Sequence, residues 1–295
     1  MTSSATAITS STPHLSFNDS AVLQALFDAE SSPSNTSAGI HLDSSLPQQL
    51  PGISPAELSR LQAQELDAIS PLQQPQLQEN TVKYAEAIRT AVSKLTVIID
   101  GNRQYASAYV NRAQALRMLV ESNKKNNNDS KEGLNRDREE EEEEEEEKLA
   151  DLIFSDLSTA ITLLTPSSSS SSPPSTTISI SALHSRILEN AHTHRAYILY
   201  RAARSSVTST STPTPTSTSP LPLPRHLRHK SSQELEEMAS MDFQQGGRYG
   251  NEIARQMAVK TNPYAKMCGA IVKEAMRKEM RGGCESERES GGFVV

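Results

Sequence analysis

Ala106-Ser107-Ala108-Tyr109-Val110-Asn111-Arg112-Ala113-Gln114-Ala115-Leu116-Arg117 decides the fold, together with Asp156-Leu157-Ser158-Thr159-Ala160-Ile161 about forty residues on. The first stretch places an aromatic, Tyr109, one helical turn before a small residue, Ala113. The second places a bulky residue, Leu157, three positions before another small one, Ala160. Small residues let two helix backbones approach closely, and large ones fill the space left between neighbouring pairs. The two stretches therefore predict the first and second helices of one helical repeat unit. Such units present a surface that holds other proteins, so the pattern points to a binding module and not to an enzyme.

Working outward, the periodicity predicts two further helix pairs. From Pro55, Leu58, Leu61, Leu66 and Ile69 recur at helical spacing until Pro71 and Pro75 stop the run. Tyr84, Ile88, Ala91, Leu95, Ile98 and Ile99 mark one side of the next helix. A third pair opens near Ser181 with Leu183, Ile187, Ala191 and Ile198, where His194-Arg195-Ala196 stands as Asn111-Arg112-Ala113 does. Its partner is Ser232 to Gln245, and Gly246-Gly247 is expected to supply the left-handed stop. A helix from Tyr249 to about Val259 and another from Pro263, capped by Asn262, finish the array. On the last, Tyr264, Cys268, Ile271 and Ala275 share a face, so it reads as the terminal cap of a solenoid, with Cys268 as a small core residue.

Composition limits how much else can fold. Of 295 residues only 35% are hydrophobic and 4% aromatic, with 16 prolines and a mean hydropathy of −0.53. Ser/Thr/Pro tracts and the glutamate run bury too little apolar area to offset the entropy of ordering them, which leaves about 160 residues in the folded part. The domain reading is a disordered tail over 1–54, with one apolar patch from Val22 to Phe27. The repeat domain covers 55–281, with loop insertions near 122–148, 165–179 and 205–230, and a disordered tail covers 282–295. Lengthening a surface loop costs closure entropy that grows slowly, so the insertions need not disturb the pairs.

Charge and motifs exclude more than they assign. The net charge is −7, and Glu139–Glu147 holds nine negative charges, so the rest of the chain, −7 less −9, carries +2. A nearly neutral folded part argues against nucleic acid as partner, and the acidic run reads as a solvated tract. Two cysteines, Cys268 and Cys284, give neither a disulfide framework nor a metal spacing. His192 and His194 are two apart on a helix and read as separate exposed side chains; His226 and His229 lack a Cys or carboxylate partner. Lys266, Lys273, Arg277 and Arg281 form a basic stripe on the last helix, read as the outer face of the cap. No nucleophile–base set, phosphate loop or cofactor motif is present. No window reaches the roughly 18 apolar residues of a membrane helix, and the first residues lack signal-peptide features. The expectation is an intracellular protein, cytoplasmic or shared with the nucleus, without metal, cofactor or membrane.

Residues 106–117 and the tail Gly246-Gly-Arg-Tyr-Gly-Asn-Glu-Ile-Ala-Arg-Gln-Met-Ala-Val-Lys-Thr-Asn-Pro-Tyr-Ala-Lys-Met-Cys268 resemble the tetratricopeptide repeat protein 36 family, in its fungal form. The Asn262-Pro263-Tyr264-Ala265-Lys266-Met267-Cys268 ending is the most particular part. The resemblance covers roughly residues 55–281 with the insertions removed. It implies an all-α tetratricopeptide-repeat solenoid of three helix pairs with capping helices, no catalysis, and a link to Hsp70-type chaperones; for animal members it also implies a connection with tyrosine breakdown. Repeat domains that grip acidic chaperone tails use a clamp of lysine, asparagine and arginine donors. Of these Asn111 matches the second-repeat asparagine, Asn190 and His194 stand where lysine and arginine belong, and Leu58–Ile69 offers neither Lys nor Asn. The expected groove-facing residues are Asn111, Arg112 and Arg195, and the repeat-packing residues are Tyr109, Ala113, Leu157 and Ala160. The partner is a protein, an Hsp70-type chaperone or, alternatively, a metabolic enzyme in tyrosine or other amino-acid metabolism that the chain holds or stabilises.

Overall fold

The computed structural model describes residues 40–43, 45–74, 81–129, 136–165, 178–208 and 223–286. Val22–Phe27, the serine tract after Ser167 and most of the Ser/Thr/Pro-rich 205–230 insertion lie outside them. The chain divides into two units, Met1–His41 with Ser168–Ser179, and Leu42–Ser167 with Ile180–Val295. Strands β1 (Ile40–Leu42) and β2 (Ile178–Ile180) pair as a two-stranded sheet. Among the described residues the rest of the secondary structure is eight α-helices and two short 3-10 turns, all in the larger unit, so the all-α expectation holds.

The helices are α1 (Pro55–Ile69), α2 (Thr81–Gly101), α3 (Ala106–Asp129), α4 (Arg136–Leu164), α5 (Ala182–Thr208), α6 (Ser232–Arg248), α7 (Glu252–Thr261) and α8 (Pro263–Ser286). Each packs mainly on its neighbours in sequence: α1 on α2, α3 on α4 and α5 on α6 as three hairpins, joined through α2–α3, α4–α5 and α6–α7. In addition α3 meets α5. Local chemistry sets the starts. Ser54 Oγ accepts from the Glu57 amide with Pro55 at the first helical position. Ser231 and Glu234 form a reciprocal capping box, and Asn251 caps α7 through Ala254. Each cap satisfies amides that a helix leaves without an internal partner.

The packing positions behave as their sizes predict. Ala113, Leu157 and Ala160 are fully buried, and Tyr109 is 9% exposed. The same pattern recurs in all three hairpins. Ala68, Ala113 and Ala196 are buried on the first helices, and Leu95, Leu157 and Phe243 on the second. Three positions after these stand Ile98, Ala160 and Gly246, likewise buried. This alignment fixes the register of the first hairpin, which periodicity alone leaves open.

Four expectations need correction. The stretch 122–148 is not a looped-out insertion: α3 runs on to Asp129, and α4 begins at Arg136, so the glutamate run is helical. Glutamate is a good helix former, and cations from other elements meet the run: Lys124 bonds Glu146 at 3.2 Å, and Arg225 and Arg228 both pair with Glu147. Gly246 and Gly247 do not end α6. They lie inside it, where a Cβ on Gly246 would fall 2.6 Å from Thr193 Oγ1 and one on Gly247 3.0 Å from the Arg255 backbone. The left-handed residue is Gly250, at φ 112°. Residues 1–54 are not wholly a tail, since Leu50 and Ile53 are buried in the core. Nor does α8 stop at 281 or cap the array: it runs to Ser286, and Cys268 is exposed. Among the described residues no helix is long and apolar enough to cross a membrane.

Leucine at Ala113 or Ala160 would force methylenes into crossings that have no free space. Each substitution should destabilise the fold by about 1–3 kcal/mol, read as a lowered midpoint in urea unfolding; a midpoint equal to the parent's in both variants would refute this register.

Candidate functional site

The three residues expected to face a groove are committed internally. Arg112 donates from Nε and Nη2 to the two carboxylate oxygens of Asp156 at 2.8 and 2.7 Å, and from Nη1 to Thr96 Oγ1 at 3.2 Å. Arg195 repeats this one hairpin later, with both Asp242 oxygens at 2.7 Å and Ser158 Oγ at 3.4 Å. In each case the fork holds the aspartate of its own hairpin, and the remaining nitrogen reaches a hydroxyl on the second helix of the hairpin before. The first hairpin carries the same contact with the charges exchanged, Lys94 to Asp67 at 2.7 Å. Asn111 donates to Glu65 Oε1 at 2.7 Å, and the Tyr105 hydroxyl donates to Glu65 Oε2 at 2.5 Å. Asn111, Arg112 and Arg195 thus tie helices together and are not open groove donors; the one residue that matched the chaperone clamp, Asn111, is spent on Glu65.

The two buried aspartates differ in how well they are held. Burial lifts the Asp156 carboxyl above the usual range against the pull of Arg112, its single charged partner. Burial acts in the same direction on Asp242, but hydrogen bonds from His192 and Arg195 outweigh it and hold the carboxyl below its ordinary value. His192 Nδ1 sits 2.9 Å from Asp242 Oδ1, and its ring stacks on Tyr249 at 5.9 Å, so it is not an exposed side chain. His194 is not free in solvent either. The residue as a whole is partly buried, and both ring nitrogens are shut from solvent without a partner, as is Arg117 Nε. Burial, and then the nearby Arg117 charge, push the His194 imidazole down to about 3.

Beside His194 lies a cluster that hydrophobic periodicity does not announce. Arg117 on α3 bonds Glu121 one turn later at 3.0 Å, and Arg201 on α5 reaches the same carboxylate oxygen at 3.6 Å. The Tyr197 ring, 39% exposed, lies 5.5 Å from the Arg117 guanidinium carbon and 5.8 Å from that of Arg201. On α2, burial and then Glu121 raise the Tyr84 hydroxyl. Two guanidiniums against one carboxylate leave one net positive charge around a half-open aromatic ring. Arginine and tyrosine are the residue types that anchor protein interfaces, because they combine area, rigidity and directed donors. The signal was present as Arg117/Glu121 and Tyr197/Arg201 at i, i+4 spacing, but their meeting depends on α3 packing beside α5. Among the described residues no group of His, Cys, Asp and Glu could hold a metal ion.

Arg112→Met should cost about 3–5 kcal/mol, since it strands the Asp156 charge at 2% side-chain exposure, whereas the double change Arg112→Met/Asp156→Leu should recover much of it. Chemical denaturation of the two variants reads the difference, and equal losses would count against a shared ion pair. His194 supplies a pH test. An imidazole depressed in the folded state binds its proton in the unfolded state first, so stability falls as pH drops from about 6.5 towards about 3. Between pH 7 and 5 the fold should lose about 1–2 kcal/mol through this group, and His194→Gln should flatten that part of the profile; an unaltered slope would refute the assignment.

No family model matches the chain, and no solved structure matches it. A curated relative from Aspergillus fumigatus, named L-tyrosine degradation gene cluster protein hmgX, is 43% identical over 279 residues, which cover 95% of this chain and 98% of the relative. At that identity, and over nearly the whole of both chains, the protein belongs to the family of this L-tyrosine degradation gene cluster protein.

Proposed function

We propose that the chain is a non-catalytic tetratricopeptide-type scaffold of the cytoplasm that serves L-tyrosine degradation by holding or stabilising a metabolic enzyme of that route. Membership in a family named for a tyrosine degradation gene cluster carries this reading. The resemblance of residues 106–117 and 246–268 to the tetratricopeptide repeat protein 36 family supports it from a separate direction, because animal members of that family are connected with tyrosine breakdown. The ion pairs across the hairpins fit a holding role, since Arg112 with Asp156, and Arg195 and His192 with Asp242, tie the helices to one another inside the fold.

The docking face in this proposal is Arg117, Tyr197 and Arg201, on the helices α3 and α5. Its chemistry suits an acidic, aromatic-accepting patch on a folded enzyme: a partner carboxylate replaces Glu121 between the guanidiniums while the Tyr197 ring is covered. An Hsp70-type chaperone tail is the weaker candidate, because the clamp donors are missing from α1 and Asn111 is already bonded to Glu65.

The enzymes of L-tyrosine degradation, each expressed singly, can be passed over the immobilised chain. One of them should be retained, and Tyr197→Ala and Arg201→Ala should each weaken its binding about tenfold or more while leaving the thermal melt within a degree or two. Failure of every enzyme to bind, or binding indifferent to both substitutions, would sink the proposal.

A further inference from the structure

Helix α8 presents an apolar face that no other described element covers. In the three hairpins the two helices are separated by residues 70–80, 130–135 and 209–231, whereas α7 and α8 are separated by Asn262 alone. Reversing one helix onto the next takes about two to five residues. Asn262 is moreover extended, at φ −62° and ψ 116°, as the proline that follows it demands. Its side-chain oxygen accepts from the Tyr264 amide at 2.9 Å and starts α8 at once. The joint therefore sends α8 onward, and α7 is its main neighbour. Every described side chain from Met267 to Lys278 is exposed.

Those side chains are not those of a helix made for water. Tyr264, Met267, Ile271, Val272 and Met276 are 70%, 56%, 61%, 52% and 55% exposed, and with Cys268 and Ala275 they fall at i, i+3, i+4, i+7, i+8, i+11 and i+12, one continuous stripe. Lys273 and Arg277 lie at the opposite pole, Arg277 bonded to Glu274 at 3.1 Å. Glu274 lies on the flank of the stripe, and Lys278, seven residues after Ile271, stands on its line just beyond the last apolar residue; the two are of opposite sign.

We infer that α8 is a self-association helix whose stripe is covered by the same stripe of a second copy. The stripe is apolar throughout, so it is complementary to itself, and a two-fold pair is the commonest closed assembly of identical chains. Covering it leaves Lys273 and Arg277 in solvent, and Lys278 stands beyond the end of the apolar run, so the basic pole of neither copy enters the contact. A helix made to lie on anionic lipid carries basic residues beside its apolar face, where headgroups are met; here the basic pole points away. The area also suffices: the stripe offers about 600 Å² per copy, hence about 1,200 Å² for a pair, the lower edge of a specific interface. This contact is separate from the Arg117–Tyr197–Arg201 face.

The test is light scattering on the full chain after size exclusion, at about 50 µM, above the micromolar dissociation constants an interface of this size supports. The mass should be twice 32.2 kDa. Met267→Glu/Ile271→Glu should give a monomer with an unchanged melt, because neither side chain is part of the core, and Lys273→Glu should remain a dimer. A parent chain that is monomeric, whether it floats with phosphatidylserine–phosphatidylcholine vesicles or not, would overturn the inference. So would a dimer that survives the double substitution, or one that is lost equally in Lys273→Glu.

Discussion

The charged contact between the two helices of a hairpin, buried in the second and third, is the constraint on which the other features depend. It recurs as Asp67 with Lys94, Arg112 with Asp156, and Arg195 with Asp242, each time one residue before a buried alanine on the first helix. The small residue brings the backbones close enough for the ion pair to close, and the ion pair fixes the height at which one helix passes the other. In the second and third hairpins the guanidinium adds a hydroxyl from the preceding hairpin, so the same side chain sets both the pair and the step to its neighbour. A lysine has no planar fork to serve both, which is consistent with the reversed pair standing in the first described hairpin, where no described hairpin precedes it.

This arrangement decides where a partner can be held. Residues whose spacing suggests recognition donors are consumed by the fold, and breaking them for a ligand would strand a buried charge. The face left with capacity is one to two turns further along the first helices, at Arg117, Tyr197 and Arg201, where a carboxylate is shared, a ring is half open and Arg117 Nε is unpartnered.

Much of the fold was legible because steric periodicity is local. Tyr109, Ala113, Leu157 and Ala160 announce their burial through spacing that three to four residues define. The role of Arg112 was not legible, since its partner lies 44 residues away and a polar side chain carries no sign of which helix it will meet. The glutamate run misled for a related reason: composition weighs the entropy and self-repulsion of nine like charges, but not the Arg225 and Arg228 guanidiniums that come from 78 residues further on or more. Gly246-Gly247 has the composition of a helix stop, and a helix crossing that needs missing side chains looks the same in one dimension. Cys268 was placed in the core by its helical face, which is apolar; that the face stays uncovered follows from the one-residue joint at Asn262.

The three ion pairs are not equal, and their gradient bears on how the array works. Side-chain exposure is 44% and 73% for Lys94 and Asp67, but 11% and 2% for Arg112 and Asp156, and 25% and 9% for Arg195 and Asp242. An exposed pair contributes about 0–1 kcal/mol, so the first hairpin is held chiefly by apolar burial and by Glu65, which ties α1 to Tyr105 and Asn111 of the next. Local opening is drawn from the least restrained elements, and among the three hairpins that is α1–α2. The face on α3 and α5 is flanked instead by the two buried pairs, so Arg117, Tyr197 and Arg201 are presented beside the better held helix contacts. A partner that docks there finds its anchors already ordered, and little of its binding energy is lost to arranging them.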